Sequence, residues 1–483
     1  MLWCALVLPD LALQVFTRGR DEGPPLAILG PLPQRRVVAA DPAAMARGVA
    51  PGIRRASALA LAPDLCLRER EPALEGTALA EIADWAGAFT STLSIDPPDT
   101  LLLELRASLR LFGGMENLCE RLQQGLDALG FNARLAVAPT PLAARWLARL
   151  APGSRIDTPC QLAAALDPLP FSVLADSPAD IHDSLDLLAG IGLRQLAEVR
   201  RLPRSGLARR KGGAVLDLLD RAYGVRADPR PWHIPPERYQ ARLPLPVPST
   251  QIDTLLFGLR RLLAGLSGWL DARQAGLEAL SLVLEYERNQ HHGEARIEII
   301  PGSLSRDMAR FQMLAREHLS RHVLPAAVDA LRLEADAPRA IAPPRHDLFE
   351  GDDGRQGDPD LLLATLRARL GPRAVACLAP CPDHRPERAW RWHDPQVPEP
   401  SGTHAGEPQS QPRPLWLLPV PRPIAAPHPD RLLAGPERIE SGWWDGEEVR
   451  RDYFVARRHD HSLVWIFQER QPPHGWFLHG HFG

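Results

Sequence analysis

The sequence predicts a multidomain α+β protein, and three observations predict it. Residues 1–165 mix short apolar strands with amphipathic helices, the pattern of a layered α/β or α+β core. Leu187–Val199, "LLAGIGLRQLAEV", has the form of a helix-hairpin-helix. Residues 240–338 run strand, helix, strand, strand, helix, strand, a split βαβ unit of about 95 residues, the size of one small domain. A chain of 483 residues holds three or four such domains.

Met1–Leu8 is a continuous apolar run and reads as a central strand. Ala27–Ala40 supplies another short strand. Pro42–Leu61 is alanine-rich and reads as two short helices broken at "GVAPG". Thr77–Phe89 is an amphipathic helix, Thr100–Leu105 a strand, Met115–Leu129 a helix, Ala133–Ala138 a strand and Pro141–Leu150 a helix. From Leu166 to Tyr223 the pattern turns helical. Within it, Gly190 and Gly192 are expected to let the hairpin turn tightly and to open backbone N–H groups to a phosphate. Arg200, Arg201, Arg204, Arg209, Arg210 and Lys211 follow closely, and this basic cluster favours contact with a nucleic-acid backbone over an ordinary tight connection.

The second half is more regular. Arg242–Val247 reads as a strand. Leu255, Leu256, Leu259, Leu262, Leu263, Leu266 and Leu270 mark one broad helical face. Leu280, Leu282, Leu284 and Tyr286 alternate as a strand. Arg296–Ile300, Met308–Val323 and Ala330–Ala335 complete the unit as strand, helix and strand. Beyond Pro338 the composition loosens into a polar, Pro- and Gly-containing linker, a helix over Asp358–Leu370 and a second linker, Pro395–Pro414. The tail from Leu415 carries Trp416, Trp443, Trp444, Trp465 and Trp476 and reads as a small β module.

Composition bounds the chemistry. The formal net charge is −3, so any nucleic-acid surface must be a local patch. Lys211 is the one lysine, and no G-x-x-x-x-G-K-[ST] is present, which argues against a P-loop or Schiff-base enzyme. Cys4, Cys66, Cys119, Cys160, Cys377 and Cys381 form no framework, which fits a reducing cytoplasm. The apolar start meets Pro9 and Asp10 at once and reads as a buried strand rather than a leader. No run is long enough to span a membrane.

This parts list resembles the Y-family translesion DNA polymerases over roughly the first 340 residues. The resemblance implies a palm (1–30 and 77–165), fingers (31–76), a helix-hairpin-helix thumb (166–232) and a little finger (240–338). The linker region (339–414) and a C-terminal docking module (415–483) follow. "LRLFGG" (Leu109–Gly114), "DHRPERAW" (Asp383–Trp390) and "ERIESGWWDG" (Glu437–Gly446) resemble one catalytically inactive branch, the ImuB-like proteins.

A polymerase needs two divalent metals held by carboxylates converging from two strands. The resemblance places Leu8 at the essential first acid and Asp10 at the second, less critical one. In "SIDPPDTLLLEL" it places Asp96 at the next acid and Pro97, which cannot bind metal, at its neighbour. Pro42 and Met45 fall where active relatives grip the triphosphate with Tyr and Arg, and Pro152 falls near a phosphate-holding lysine. Arg47 or Arg149 offers compensating charge. Asp10 and Asp96 are therefore vestigial carboxylates or solvated strand ends, and no catalytic residue, metal or cofactor is expected. The competing enzymatic reading keeps an active polymerase using Asp10, Asp96 and a displaced acid, Asp99 or Glu104.

Partner motifs complete the expectation. Sliding-clamp ligands resemble Gln-x-Asp/Ser-Leu-Phe, and Arg345-His346-Asp347-Leu348-Phe349 matches at its last three places without the glutamine. A linker carrying Leu and Phe offers two apolar anchors to a pocket. The resemblance implies a tail that recruits a RecA-like accessory subunit and an error-prone replicative-type polymerase. "CLAPCPDH", with Cys377, Cys381, His384 and His393, is weighed as a zinc site and set aside, because Pro380 and Pro382 constrain the loop and no second Cys pair follows. The expected function is a pseudoenzyme scaffold of SOS mutagenesis and DNA repair. It binds primed or damaged DNA through Gly190, Gly192, Arg200, Arg201 and Lys211. A DNA-independent partner hub is the remaining alternative.

Overall fold

Trp3–Val7 forms β1, five consecutive buried residues, because both faces of this strand are covered. The computed structural model describes residues 1–19, 23–176, 181–287, 293–341, 359–394 and 413–483. They fall into two units, Met1–Arg369 and Leu370–Gly483.

In the first unit, a hairpin-like pair, β2 (Leu26–Leu29) and β3 (Val37–Ala40), is joined by β4 (Cys66–Glu69), which runs parallel to β2. The single strand expected over Ala27–Ala40 is thus two, since Pro31 and Pro33 break the run between them. Helices Pro42–Ala46 and Arg55–Leu61 pack on this small sheet, and Asp41 caps the first by accepting from the Ala44 N–H at 2.7 Å.

β5 (Leu93–Asp96), β6 (Thr100–Glu104) and β7 (Arg134–Ala138) join β1 in an antiparallel sheet ordered β5-β6-β1-β7. Strand alternation divides its side chains between two cores. Leu6, Leu8, Leu101 and Leu103 face helices Pro72–Ala86 and Met115–Leu129. Trp3, Ala5, Val7 and Leu102 face helix Pro141–Leu150 and the helical segment beyond it.

β8 (Tyr239–Ser249), β9 (Ala275–Gly276), β10 (Leu280–Tyr286), β11 (Glu294–Ile299), β12 (Val328–Ala335) and β13 (Arg339–Ala340) follow. β8, β10, β11 and β12 form one antiparallel sheet ordered β11-β10-β12-β8; β9 pairs with β13 alone. β8 and β10 run parallel to each other with antiparallel β12 between them, which is a split βαβ in the literal sense. The leucine stripe of helix Ile252–Asp271 covers one face with helix Met308–Arg321.

Trp85 joins this sheet-and-helix unit to helix Met115–Leu129. A Cβ on Gly125 or Gly268 would lie 2.1 Å or 2.4 Å from the Trp85 ring, so both helices need glycine to receive it. Nearby, the buried Arg18 donates to Glu81 at 2.8 Å and to the Arg242 carbonyl at 2.9 Å.

The second unit holds a hairpin of β14 (Cys377–Pro380) and β15 (Trp390–His393). β16 (Trp416–Ile424), β17 (Leu432–Ser441), β18 (Val449–Arg457), β19 (Leu463–Glu469) and β20 (Gly475–His481) form an antiparallel sheet ordered β16-β20-β19-β18-β17. No helix among the described residues is long and apolar enough to cross a membrane.

Candidate functional site

The ends of β1 and β5 carry the positions expected to hold acids. Leu8 is fully buried in the core, and its N–H donates to the Asp99 carbonyl at 2.8 Å. Asp96 lies in one row with Thr100 and Val7 across the sheet, so it points to the opposite face from Leu8. There, Arg145 Nη1 lies 2.8 Å from Asp96 Oδ2 and Arg230 Nη1 lies 3.3 Å from Oδ1. Arg149, one turn beyond Arg145, holds Asp99 at 2.6 Å. The i,i+4 spacing of Arg145 and Arg149 aims both guanidinium groups at the strand ends, a signal legible in "ARWLAR". Pro97 is exposed.

Asp10 is elsewhere. It is exposed at the start of helix Leu11–Thr17 and lines a cleft of about 960 Å³ between that helix and Ala40–Met45. Asp41, Pro42 and Met45 line the same cleft, but Asp96 does not. The structure therefore does not bring the two surviving carboxylates into one pocket. Among the described lining residues none is cationic. Arg47 pairs with Asp64 and Arg149 with Asp99, so neither supplies a free charge to the cleft. Pro152 is exposed in a loop. Glu104 Oε1 accepts from the Leu2 and Arg106 N–H groups at 2.9 and 3.3 Å, a structural role at the sheet edge.

The hairpin after helix His182–Gly190 differs from the expectation at Gly190. That residue ends helix His182–Gly190 with ordinary backbone angles, and the tight turn rests on Gly192 at φ +82°. Open space surrounds both α-carbons. The hairpin N–H groups are bonded internally. Ile191, Gly192 and Leu193 donate to helix carbonyls. Arg194 and Gln195 donate to Glu198 Oε2 at 2.6 and 3.0 Å. These two N–H bonds hold the Glu198 carboxyl below its usual range. An internal anion thus occupies the N-terminus of helix Leu196–Arg201.

The basic cluster is partly committed as well. Arg200 donates to Asp167 at 2.6 Å and stacks over Tyr223, and Arg204 pairs twice with Asp220. Arg201 and Arg209 are exposed. Lys211 sits in a wide π-helical turn, Ala208–Gly212, where Gly212 avoids Leu207; its side chain lies outside the described residues.

The open face of the second sheet is charge-compensated. Arg332 donates to Glu285, Glu294 and Glu334 at 2.7–2.8 Å, Arg242 donates to Glu285, and Arg296 pairs with Glu334. The pairing pushes Arg332 further up and holds Glu285 and Glu334 down, against the burial that opposes their charge. Between 240 and 338 the sequence carries eleven arginines and twelve acids, so this segment generates no basic field.

In the second unit the two signature stretches meet. Arg385 of "DHRPERAW" is buried, donates twice to Asp383, and reaches Asp445 of "ERIESGWWDG" at 3.0 and 2.6 Å. It also donates to the Glu447 carbonyl at 3.1 Å. Arg385 drives the Asp445 carboxyl down to about 2. Gly442 sits at φ +87°, with a would-be Cβ 2.5 Å from Arg385 Nη1, so only glycine fits. The clasp presents Trp443 and Trp444 to solvent as an edge-to-face pair, 71% and 59% exposed. Cys377 stands opposite His393 in the β14–β15 hairpin, but no metal-holding cluster occurs among the described residues. The pentapeptide Arg345–Phe349 lies outside the described residues.

Residues 13–149 match the family model described as impB/mucB/samB. Protein ImuB of Caulobacter vibrioides, in two strains, is 29% identical over 476 residues, covering 90% of this chain and all of that protein. A chimeric Y-family DNA polymerase built from Dbh and Dpo4 is 17% identical and covers 71% of this chain at a TM-score of 0.40. DinB from Sulfolobus solfataricus covers the same share at 17% identity and 0.38. The chain is thus similar in sequence to ImuB over most of its length, and its fold is multidomain α+β.

Proposed function

We propose that this ImuB-like chain is a non-catalytic, polymerase-like scaffold of a bacterial mutagenesis complex, working in the cytoplasm during translesion synthesis. In this reading residues 1–30 and 77–165 act as palm, 31–76 as fingers, 166–232 as thumb and 240–338 as little finger. The region 339–414 carries the clamp ligand, and 415–483 docks a RecA-like subunit and an error-prone polymerase. The observation that supports it is the state of the palm acids. Leu8 lies in the core, and the Asp96 carboxylate is held between Arg145 and Arg230. A metal ion would have to displace two guanidinium groups and would still lack the first strand's ligand, where Leu8 stands. The active-polymerase reading loses its reserve acids, because Asp99 is held by Arg149 and Glu104 by the Leu2 N–H.

Primer extension on an abasic template with Mg²⁺ or Mn²⁺ tests this. The full chain is expected to add no nucleotide. Extension that disappears in Asp96→Ala would overturn the proposal.

A partner hub that does not grip DNA is favoured by separate observations: the occupied hairpin N–H groups and the compensated sheet face. Binding to primed DNA at physiological salt separates the two. Affinity that falls when Arg201 and Arg209 become Glu supports the DNA-holding scaffold, and absence of binding supports the hub.

A further inference from the structure

Alternation along β18, β19 and β20 gives the C-terminal sheet two apolar faces. Tyr453, Val455, Trp465 and Phe467 pack on one. That face is closed by the segment around Glu387, to which Arg451 donates at 2.9 Å, and by the Tyr453–His479 hydrogen bond at 2.7 Å. Ala456, Val464, Ile466 and Leu478 form the other face. They floor an open cleft of about 650 Å³, edged by the loop from Ile424 to Arg431. Phe454 and Trp476 stand half-buried on the same face.

The rim of this cleft carries Arg431, Arg457 and Arg458; Arg431 lies 2.9 Å from His459 Nδ1, and His428 lies 3.2 Å from Asp430. The rim acid Asp460 accepts from the Ser462 N–H at 3.0 Å and hydroxyl at 2.6 Å, which with nearby Arg458 hold its carboxyl below the usual range. Arg457 and Arg458 are exposed, and neither has a hydrogen-bonded carboxylate among the described residues. Elsewhere in this unit Arg385, Arg388, Arg413, Arg438, Arg450, Arg451 and Arg470 are each paired with an acid. Arg373, Arg391 and Arg422 of this unit also have no ion pair among the described residues; what sets the cleft apart is that Arg457 and Arg458 stand side by side at the edge of one aliphatic floor.

We infer that this cleft binds an acidic peptide carrying a bulky apolar residue, with the side chain seated on Val464, Ile466 and Leu478 and the carboxylates on Arg457 and Arg458. Charge complementarity selects the acid, and the volume suits a few side chains. The cleft's lining is aliphatic, and Phe454 and Trp476 on the same face are half-buried outside it, which disfavours single-stranded nucleic acid as the occupant. The inference deepens the docking role proposed for residues 415–483 and rests on it.

The test uses the full chain and a fluorescein-labelled hexapeptide of four acidic residues, glycine and phenylalanine, read by anisotropy. Saturable binding is expected. It should weaken at least tenfold in Arg457→Glu/Arg458→Glu, whose exposed positions spare the fold, and when the peptide's phenylalanine becomes alanine. Equal binding of a serine-for-acid peptide, or binding indifferent to the two arginines, would overturn the inference. So would binding of oligo-dT to the arginine rim in place of the peptide. Pull-down of the error-prone polymerase by the same variants separates the layers. Recruitment without peptide binding removes the cleft alone, and loss of recruitment on deleting 415–483 supports the docking role independently.

Discussion

Single side chains decide what the carboxylates at the strand ends are bonded to. Arg145 is 3% exposed and holds Asp96, so neutralising the arginine leaves a largely buried carboxylate short of a partner. Arg145→Gln is expected to cost about 3 kcal/mol in urea unfolding. Asp96→Asn on top of it should recover much of that loss, because the stranded charge is then gone. A double variant no more stable than Arg145→Gln alone would mean the pair is not what holds this site. Arg385 plays the matching part in the second unit, where one buried guanidinium joins residues about sixty positions apart in sequence. The spacing of "DHRPERAW" and "ERIESGWWDG" shows nothing of this, since a contact between distant loops leaves no periodicity to read.

At the scale of elements, the hairpin at Gly190–Gly192 separates two glycines that look equivalent in "AGIGL". Gly190→Ala is expected to leave stability unchanged, being helical with open space at its α-carbon. Gly192→Ala forces a side chain into left-handed backbone and should cost about 1–2 kcal/mol by the same measurement. Equal effects would contradict the assignment of the turn to Gly192. The C-terminal sheet makes a pH prediction through His479, which burial pushes down to about 4. Its unfolded form takes a proton near pH 6.5. Below that value the unfolded state binds more protons, so stability falls as pH drops from about 6.5 to 4 and levels off for this group below 4. Tryptophan-fluorescence melts should show that decline, with Trp465 reporting from beside His479, and His479→Phe should flatten it. The helix stripes and alternating strands of 240–338 were legible because each element buries one face with its own period. β4 and the small pairing of β9 with β13 were not, since short strands depend on a partner far along the chain.

Over the whole molecule, partner binding is where sequence motifs outrun the described structure. Deleting Leu348 and Phe349 is expected to abolish sliding-clamp binding in a pull-down, and unchanged capture would retire that pentapeptide. Trp85, seated against Gly125 and Gly268, joins helices Pro72–Ala86 and Met115–Leu129 to the helix of the split βαβ unit. Nothing in the three local patterns announces it, because a knob and its two glycine sockets come from separate elements. The sequence by itself determined the element order, the α+β class and the absence of an acid at Leu8 and Pro97, since identity and periodicity are local properties. Tertiary structure alone decided the rest. It turned Asp96 onto Arg145 and Arg230 while Asp10 lines another cleft. It filled the hairpin's anion site with Glu198 and neutralised the sheet face with Glu285, Glu294 and Glu334. A charge is readable in sequence, but whether it remains available depends on which opposite charge the fold brings within about 4 Å.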